Sequence, residues 1–173
     1  DQVVLPTSVI YPPGLTLEEE EKQSTAEMKG SQDDARTIAL GYLERTYPDR
    51  GFEKLTPRDI SIAVKRTGGP SGGMIFTLAI IEMLTKENLL KGRSIAGTGT
   101  IEKDGSIGAI GGIEEKILAA KRADADLFLT PISNCSELSS IPEGIVVAAV
   151  GTIDEAVAAL NSKSPKGCDS LGT

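Results

Sequence analysis

The feature that most constrains the fold is an apolar helical run with a glycine-rich loop directly in front of it. Residues 74–84 are apolar almost throughout, and a helix that is apolar all round is buried against other elements. The loop before it, residues 68–73, reads GGPSGG. In front of the loop, apolar side chains alternate over residues 60–64, which predicts a half-buried strand. The expected order is therefore strand, glycine-rich loop and central helix.

The N-terminal part of the sequence predicts an extended arm followed by two helices. Residues 3–13 are β-branched and punctuated by proline, which is typical of an edge strand or an arm. A capping-box pattern at Thr16 opens an acidic helix that is expected to stop near Gly30, and a second pattern at Ser31 opens a helix to about Thr46. The second helix has a broad apolar face, so we expect it to pack on the core.

The C-terminal half predicts a hairpin, two helices and two further strands. Asp104-Gly105 is a strong hairpin turn between residues 94–102 and 106–110. A helix over 113–122 and a closing helix from Thr152 to about Leu160 are the predicted helices of this half. A turn at Pro131 separates the predicted strands at 127–130 and 145–150. Because these elements do not form regular βαβ repeats, we predict a mixed α+β domain.

Composition excludes several functional classes. The net charge is −7 and the cations are scattered among Asp and Glu, so a nucleic-acid surface is not expected. The sequence contains no apolar run of about 18 residues that would span a membrane. It also contains no histidine, which removes the Ser-His-Asp triad, the Cys-His pair and His-containing metal sites. Any general base must therefore be Lys, Asp, Glu or Tyr.

Ser71 and Lys116 are the candidate pair for chemistry. A serine at the start of a helix lies near free N–H groups and the positive end of the helix dipole, which stabilise an oxyanion. On the predicted helix 113–122, Lys116 lies about 60° from the centre of the apolar face. A lysine there either extends outward along its methylene stem or is buried, and burial makes the neutral amine available as a base. The pattern suggests acyl transfer, with Ser71 as nucleophile and Lys116 as base.

The residues alone leave other interpretations open. The loop 68–73 also fits a tight strand-to-helix connection, and glycine-rich loops at helix N-termini bind phosphates, so a phosphate-ligand domain is an alternative. A second alternative is a proteolytically silent assembly module in which Ser71 and Lys116 lie too far apart. Cys135 and Cys168 match no zinc or redox spacing. They are either free thiols or, in an oxidising compartment, a pair.

Two motifs resemble the Lon peptidase family. Residues 69–73, GPSGG, look like the G-P-S-x-G motif around the serine of Lon peptidases. The run IAGTGTIEKDGSIGAIGGIEEKILAA, residues 95–120, is similar to the Lon segment that contains the catalytic lysine. The resemblance covers about residues 60–160. One departure is Gly68, where many Lon peptidases have an aspartate.

The resemblance implies a function and a set of site residues. It implies Ser71 as nucleophile, Lys116 as base and Thr98 as the hydroxyl that orients the lysine, with Gly69, Pro70 and Gly72 forming the nucleophile loop and oxyanion region. The implied fold is the Lon proteolytic domain, an α+β fold shared with ribosomal-protein-like domains. Since there is no ATPase module, the implied activity is ATP-independent serine endopeptidase action on polypeptides, with no cofactor.

The amino-acid sequences of the motifs look closest to those of bacterial Lon-like proteins that carry a PDZ domain and a membrane anchor. Those proteins act outside the cytoplasm. The implied organisation is an N-terminal segment (1–58), from which a PDZ domain is excised or lost, a proteolytic domain (59–161) and a polar tail (162–173). Membrane anchoring is expected of the full-length protein, on the extracytoplasmic face of a bacterial membrane, with a cytoplasmic location as the alternative. The resemblance further implies a homo-oligomer, a hexameric ring, and a Cys135–Cys168 disulfide that ties the tail to the domain.

Overall fold

The computed structural model describes residues 16–64 and 69–171. The predicted arm, residues 3–13, lies outside these residues. So do residues 65–68, which connect the predicted strand to the glycine-rich loop and include Gly68. The helices and strands, in chain order, are α1 Leu17–Thr46, α2 Gly73–Leu84, β1 Ile95–Gly97, β2 Thr100–Ile101, β3 Ile107–Gly108, α3 Ile113–Arg122, β4 Leu127–Pro131, β5 Val146–Val150 and α4 Ile153–Asn161. The predicted α+β class is confirmed. None of the helices in the described ranges is long and apolar enough to cross a membrane.

The strands form two small sheets. β1, β4 and β5 make a parallel sheet in the order β1-β4-β5, in which Ile95 pairs with Leu127 and Leu127 with Val146. β2 and β3 form an antiparallel pair across the turn at Asp104-Gly105, so the predicted hairpin is confirmed. The single strand predicted over 94–102 is divided: its first half joins the parallel sheet and its second half joins the hairpin.

Two hydrophobic clusters cover the two faces of the parallel sheet. α1, α2, α4 and the hairpin pack on one face, where Leu127 and Leu129 of β4 point. α3 packs on the other face against Phe128. This alternation follows from the period-2 geometry of a strand. The sheet is therefore the middle layer. Ser71, in the turn before α2, and Lys116, on α3, belong to opposite layers.

α1 is one continuous helix of 30 residues, so the prediction of two helices separated at Gly30 is wrong. Its N-cap is Thr16, with the predicted capping box. Gly30 lies inside the helix at a cost of about 1 kcal/mol. Buried side chains at helical spacing continue past it on both sides, at Met28, Ser31 and Ala35. Their packing outweighs the local preference of Gly30, and Ser31 is a buried residue rather than an N-cap.

The predicted strand over residues 60–64 is also wrong, since this segment is irregular and forms no ladder within the described part of the chain. Ile60 and Ile62 are nevertheless half-buried against the larger core. The carbonyl of Ile60 accepts a hydrogen bond from Arg36 Nε at 2.9 Å. Of the three alternating apolar residues, Ile60 and Ile62 therefore face the core, whereas Val64 is 42% exposed.

The C-terminal tail is fastened along the outer edge of β5. The N–H of Ala149 donates to the carbonyl of Lys166 at 2.9 Å. Cys168 forms a disulfide with Cys135, which lies on a short 3-10 helix, Ile132–Glu137, after β4. This is the pairing that the family resemblance implied, and it holds the tail against the domain.

Candidate active site

Ser71 lies in a turn at the N-terminal end of α2, and its main chain is fixed from the β1–β2 connection. The carbonyl of Ser71 accepts a hydrogen bond from the N–H of Gly99 at 2.8 Å and another from the hydroxyl of Thr98 at 3.1 Å. The N–H of Gly73 donates to the carbonyl of Pro70 at 3.2 Å and closes the turn. The side chain of Ser71 is half-buried, and its hydroxyl has no hydrogen bond to the residues that the structure describes.

The other side of the loop is fastened to α1. Gly69, with a φ of +76°, donates its N–H to the carbonyl of Ser24 at 3.0 Å. Ser31 donates its hydroxyl to the carbonyl of Pro70 at 3.1 Å. The positive φ favours glycine at position 69. The long helix α1 therefore supports the serine loop directly, a role for Ser31 that its sequence pattern, typical of a helix start, did not reveal.

Gly73 is required by close packing at the start of α2. A Cβ at this position would lie 2.6 Å from Ile101 Cγ2 and 2.8 Å from the backbone nitrogen of Ile101. The sequence analysis assigned Gly69 and Gly72 of this loop to the nucleophile and oxyanion region and gave Gly73 no separate role. For Gly73 the structure gives a reason: the absence of a side chain lets α2 approach β2, and this sets the position of Ser71.

Lys116 lies in the first turn of α3, between the buried side chains of Ile113 and Ile117. It is half-buried, and burial lowers the pKa of its amine below the ordinary value of 10.5. Loss of hydration disfavours the charged ammonium, which is the physical cause of the shift. Lys116 Nζ donates a hydrogen bond to Thr98 Oγ1 at 3.3 Å.

Thr98 joins the two candidate residues. Its hydroxyl donates to the carbonyl of Ser71 and accepts from Lys116 Nζ. Ser71 Oγ and Lys116 Nζ share no hydrogen bond in the described structure, so the pair is adjacent through Thr98 rather than directly bonded. Catalytic hydrogen bonds are often long without substrate and tighten when substrate binds.

The predicted oxyanion region is only partly available. Pro70 has no N–H, and the N–H of Gly69 is already used by Ser24. The N–H groups of Ser71 and Gly72 have no acceptor among residues 16–64 and 69–171. They are the N–H groups of the serine itself and of the next residue, and they could bind a negatively charged oxygen.

A phosphate cradle at the same helix is less well supported. The first N–H groups of a helix would have to point at the phosphate. Here the N–H of Gly73 donates to Pro70, and the N–H of Met74 donates to Gly99 at 3.2 Å. Two of the donors that a phosphate would need are therefore engaged within the protein.

Asn134 is a buried polar residue close to the lysine helix to which the sequence assigned no role at the site. Its side chain bonds both backbone polar groups of Ile110, just before α3. The Asn134-Cys135 element contributes to the family resemblance, but residue type alone does not indicate burial, since most asparagines are exposed. The contacts of Asn134 with Ile110 arise because the 3-10 helix Ile132–Glu137 packs against the start of α3. The tertiary structure alone shows them.

Comparisons with known proteins show which family this chain is similar to. The family model described as Lon protease (S16) C-terminal proteolytic domain matches residues 20–160. A Lon protease of Haemophilus influenzae is 32% identical over 150 residues, which make up 82% of this chain and 18% of that protein. Lon protease 2 of Herpetosiphon aurantiacus is 31% identical over 168 residues, or 90% of this chain and 19% of that protein. The chain thus spans less than a fifth of the length of these relatives.

Proposed function

Because the chain belongs to the family of Lon protease (S16) C-terminal proteolytic domains, we propose that it is an ATP-independent serine endopeptidase with a Ser71-Lys116 dyad. One observation supports this assignment above the others: the hydroxyl of Thr98 bonds both to the carbonyl of Ser71 and to the amine of Lys116. The nucleophile loop and the lysine come from opposite layers of the domain. Thr98, at the end of β1, is the point where they meet.

The reaction has two acyl-transfer steps. The neutral amine of Lys116 takes the proton of the Ser71 hydroxyl as Ser71 Oγ attacks the carbonyl carbon of the scissile peptide bond. The tetrahedral oxyanion is stabilised by the N–H of Gly72 and the N–H of Ser71. The Lys116 ammonium then gives its proton to the leaving amine, and the C–N bond breaks. Water, deprotonated by the same amine, hydrolyses the acyl-enzyme and restores the serine.

The hydroxyl of Thr98 can orient the neutral amine of Lys116. Since its hydroxyl hydrogen is committed to the Ser71 carbonyl, its oxygen lone pairs are left to accept from Lys116. A neutral amine has two N–H donors and one lone pair. When Thr98 accepts a hydrogen bond from one N–H, the rotation of the amine about the Cε–Nζ bond is restricted. The lone pair can then be directed toward the serine hydroxyl. Burial, which lowers the pKa of Lys116, increases the neutral fraction.

The same proposal extends to partners and location. We propose polypeptide substrates, assembly into a homo-oligomeric ring of six copies, and action on the extracytoplasmic face of a bacterial membrane. The disulfide between Cys135 and Cys168 supports an oxidising compartment, because cytosolic thiols are usually kept reduced. The ring and its subunit number are supported by the family resemblance alone.

Hydrolysis of an unstructured protein or peptide, without nucleotide and with a metal chelator, tests the dyad. Ser71→Ala and Lys116→Met are each expected to lower kcat by about 10⁴-fold or more, because members of a dyad act as a unit. Lys121→Met is the matched control: it removes a lysine from the same helix whose Nζ donates to the carbonyl of Gly144, and wild-type rates are expected. Equal rates in all four proteins would overturn the proposal.

A further inference from the structure

Asn134 is completely buried, with 0% of its surface exposed, yet every polar atom of its side chain has a partner. Oδ1 accepts a hydrogen bond from the N–H of Ile110 at 3.0 Å. Nδ2 donates to the carbonyl of Ile110 at 2.8 Å and to Glu137 Oε1 at 2.7 Å. Since the N–H of Ile110 can only donate and its carbonyl can only accept, the two bonds to Ile110 fix the orientation of the amide.

The residue that Asn134 holds is the last before the glycine pair that opens α3. Gly111 and Gly112 follow Ile110, and both are exposed. Gly112 is the N-cap of α3 with a φ of +69°. Without side chains, the two glycines cannot fix the path of the chain. The double hydrogen bond at Ile110 therefore fixes the point at which the chain enters α3.

Lys116 depends on that entry point. Its N–H donates to the carbonyl of Gly112 at 3.2 Å, which places it in the first turn of α3. The apolar contacts of α3, from Ile113 and Ile117, fix which face of the helix is buried. Apolar contacts are non-directional, so they constrain sliding of the first turn along the helix axis less than directed hydrogen bonds do.

A second polar contact joins the same two segments. Glu114 Oε1 accepts hydrogen bonds from the N–H of Ser139 at 2.8 Å and from the hydroxyl of Ser139 at 2.5 Å. Asn134 and Ser139 both belong to the segment after β4, and both bond the start of α3. This second contact is exposed, so it contributes less than the buried one.

We propose that Asn134 is a positioning residue for Lys116: by bonding both backbone groups of Ile110, it sets the entry of α3 and holds the lysine amine against Thr98. The inference rests on the proposed dyad. An apolar side chain of similar size would leave the part-buried N–H and carbonyl of Ile110 without the partners that Asn134 supplies. The side chain at 134 must therefore supply both a donor and an acceptor.

The position of Lys116 is the main control of the protonation of its amine. At the end of β1 the amine meets the uncharged hydroxyl of Thr98. Three carboxylates lie near the start of α3: Glu114 and Glu115 in its first turn, and Glu137 of the 3-10 helix. Glu114 is bonded to Ser139 and Glu137 to Asn134. Within the described residues, burial is the cause of the lowered pKa of Lys116. A displaced first turn would expose the amine and raise its pKa toward the ordinary value.

The test compares wild type, Asn134→Ala, Asn134→Asp and Thr130→Val in two assays. The first is peptide hydrolysis with kcat and KM measured separately. The second is trace acetylation of Lys116 across pH, read by mass spectrometry, which reports its protonation without any need for activity. Thr130→Val is the matched control. Thr130 is a buried polar residue within β4, and its hydroxyl has no hydrogen-bond partner in the described structure. Asn134→Asp preserves the side-chain shape if the alanine variant does not fold.

We expect the Asn134 variants to lose about 10- to 100-fold in kcat, as for a small misplacement of a catalytic group, with KM changed less than about twofold. The acetylation midpoint of Lys116 is expected to rise, and Thr130→Val to behave as wild type. A folded Asn134 variant with wild-type kcat and an unchanged midpoint would overturn the inference, as would an equal loss in Thr130→Val. If Ser71→Ala hydrolyses peptide as fast as wild type, the dyad itself fails and this inference fails with it, whatever the acetylation midpoint shows.

Discussion

Lys116 is the residue whose chemistry is most sensitive to pH. Its pKa is lowered by burial, and the proposed base is the neutral amine. We therefore expect kcat/KM to rise with pH through a single ionisation whose midpoint lies below the ordinary lysine value of 10.5. The measurement is hydrolysis of one peptide across pH 6–10, with folding checked by circular dichroism at each pH. A flat profile between about pH 6 and 9 would contradict lysine as the base.

The same lysine is expected to cost the folded state some stability at neutral pH. Its pKa is lower in the folded than in the unfolded chain, so between the two values the unfolded chain binds more protons and stability rises with pH. Below the folded-state pKa the cost is fully present. Lys116→Met removes it and fills similar space, so we expect a urea midpoint at pH 7 equal to or above that of wild type. The difference should shrink as pH approaches 10.5, and a Lys116→Met protein less stable than wild type at pH 7 would be the contrary result.

At the scale of elements, two glycines with similar sequence signals have opposite structural roles. Gly30 is exposed inside α1, and a Cβ there would meet nothing within 4 Å. Gly73 starts α2, where a Cβ would lie 2.8 Å from the backbone nitrogen of Ile101. A backbone atom cannot move aside as a flexible side chain can. Substitution by alanine should therefore separate a glycine that only weakens a helix from one that permits packing.

Gly30→Ala is expected to stabilise the domain by about 0.5–1 kcal/mol, because alanine is the better helix former and restricts the unfolded chain. Gly73→Ala is expected to destabilise it by about 1–3 kcal/mol through overpacking. It should also lower hydrolysis, since Ser71 precedes the displaced turn by two residues. Urea unfolding of both variants beside wild type is the measurement. Destabilisation by Gly30→Ala would show that α1 is interrupted at Gly30.

The sequence predicted elements well where the local signal and the tertiary contacts agree. α2 and α3 fall where the apolar runs placed them, and α4 starts at the predicted cap, where Thr152 accepts from the N–H of Glu155. The predictions fail at Gly30 and at residues 60–64. In both places a local pattern was read as a boundary or a strand, whereas packing against a distant part of the chain decided the conformation.

At the scale of the whole molecule, the disulfide joins the tail to the segment that carries Asn134. Cys135 and Cys168 are 33 residues apart in sequence, and the bond closes the chain between them. Such a bond constrains the unfolded chain, and removal of a native disulfide typically costs about 2–5 kcal/mol. The tail would also lose its hold on the edge of β5, where Ala149 bonds Lys166. Stability, more than activity, should therefore depend on it.

Cys168→Ser is expected to lower the free energy of unfolding by about 2–5 kcal/mol. A Cys135→Ser/Cys168→Ser double variant should lose about as much as the single variant, since both remove the same bond. Denaturant unfolding of the three proteins gives the values, and reduction of wild type should reproduce them. If both cysteines of the native protein react with a thiol reagent before reduction, the disulfide is absent in solution and no loss is expected.

By itself, the sequence determined which residue types are available for chemistry: no histidine, a serine in a glycine-rich loop and a lysine on the apolar side of a helix. These are properties of residue type and of local period, which the chain carries wherever it folds. The tertiary structure decided how they meet. The Thr98 hydroxyl between Ser71 and Lys116, the support of the loop by Ser31, and the contact from Asn134 to Ile110 all join residues distant in sequence. Such contacts depend on packing between elements. The family resemblance implied a role for Thr98, but no local pattern indicated the contacts of Ser31 and Asn134.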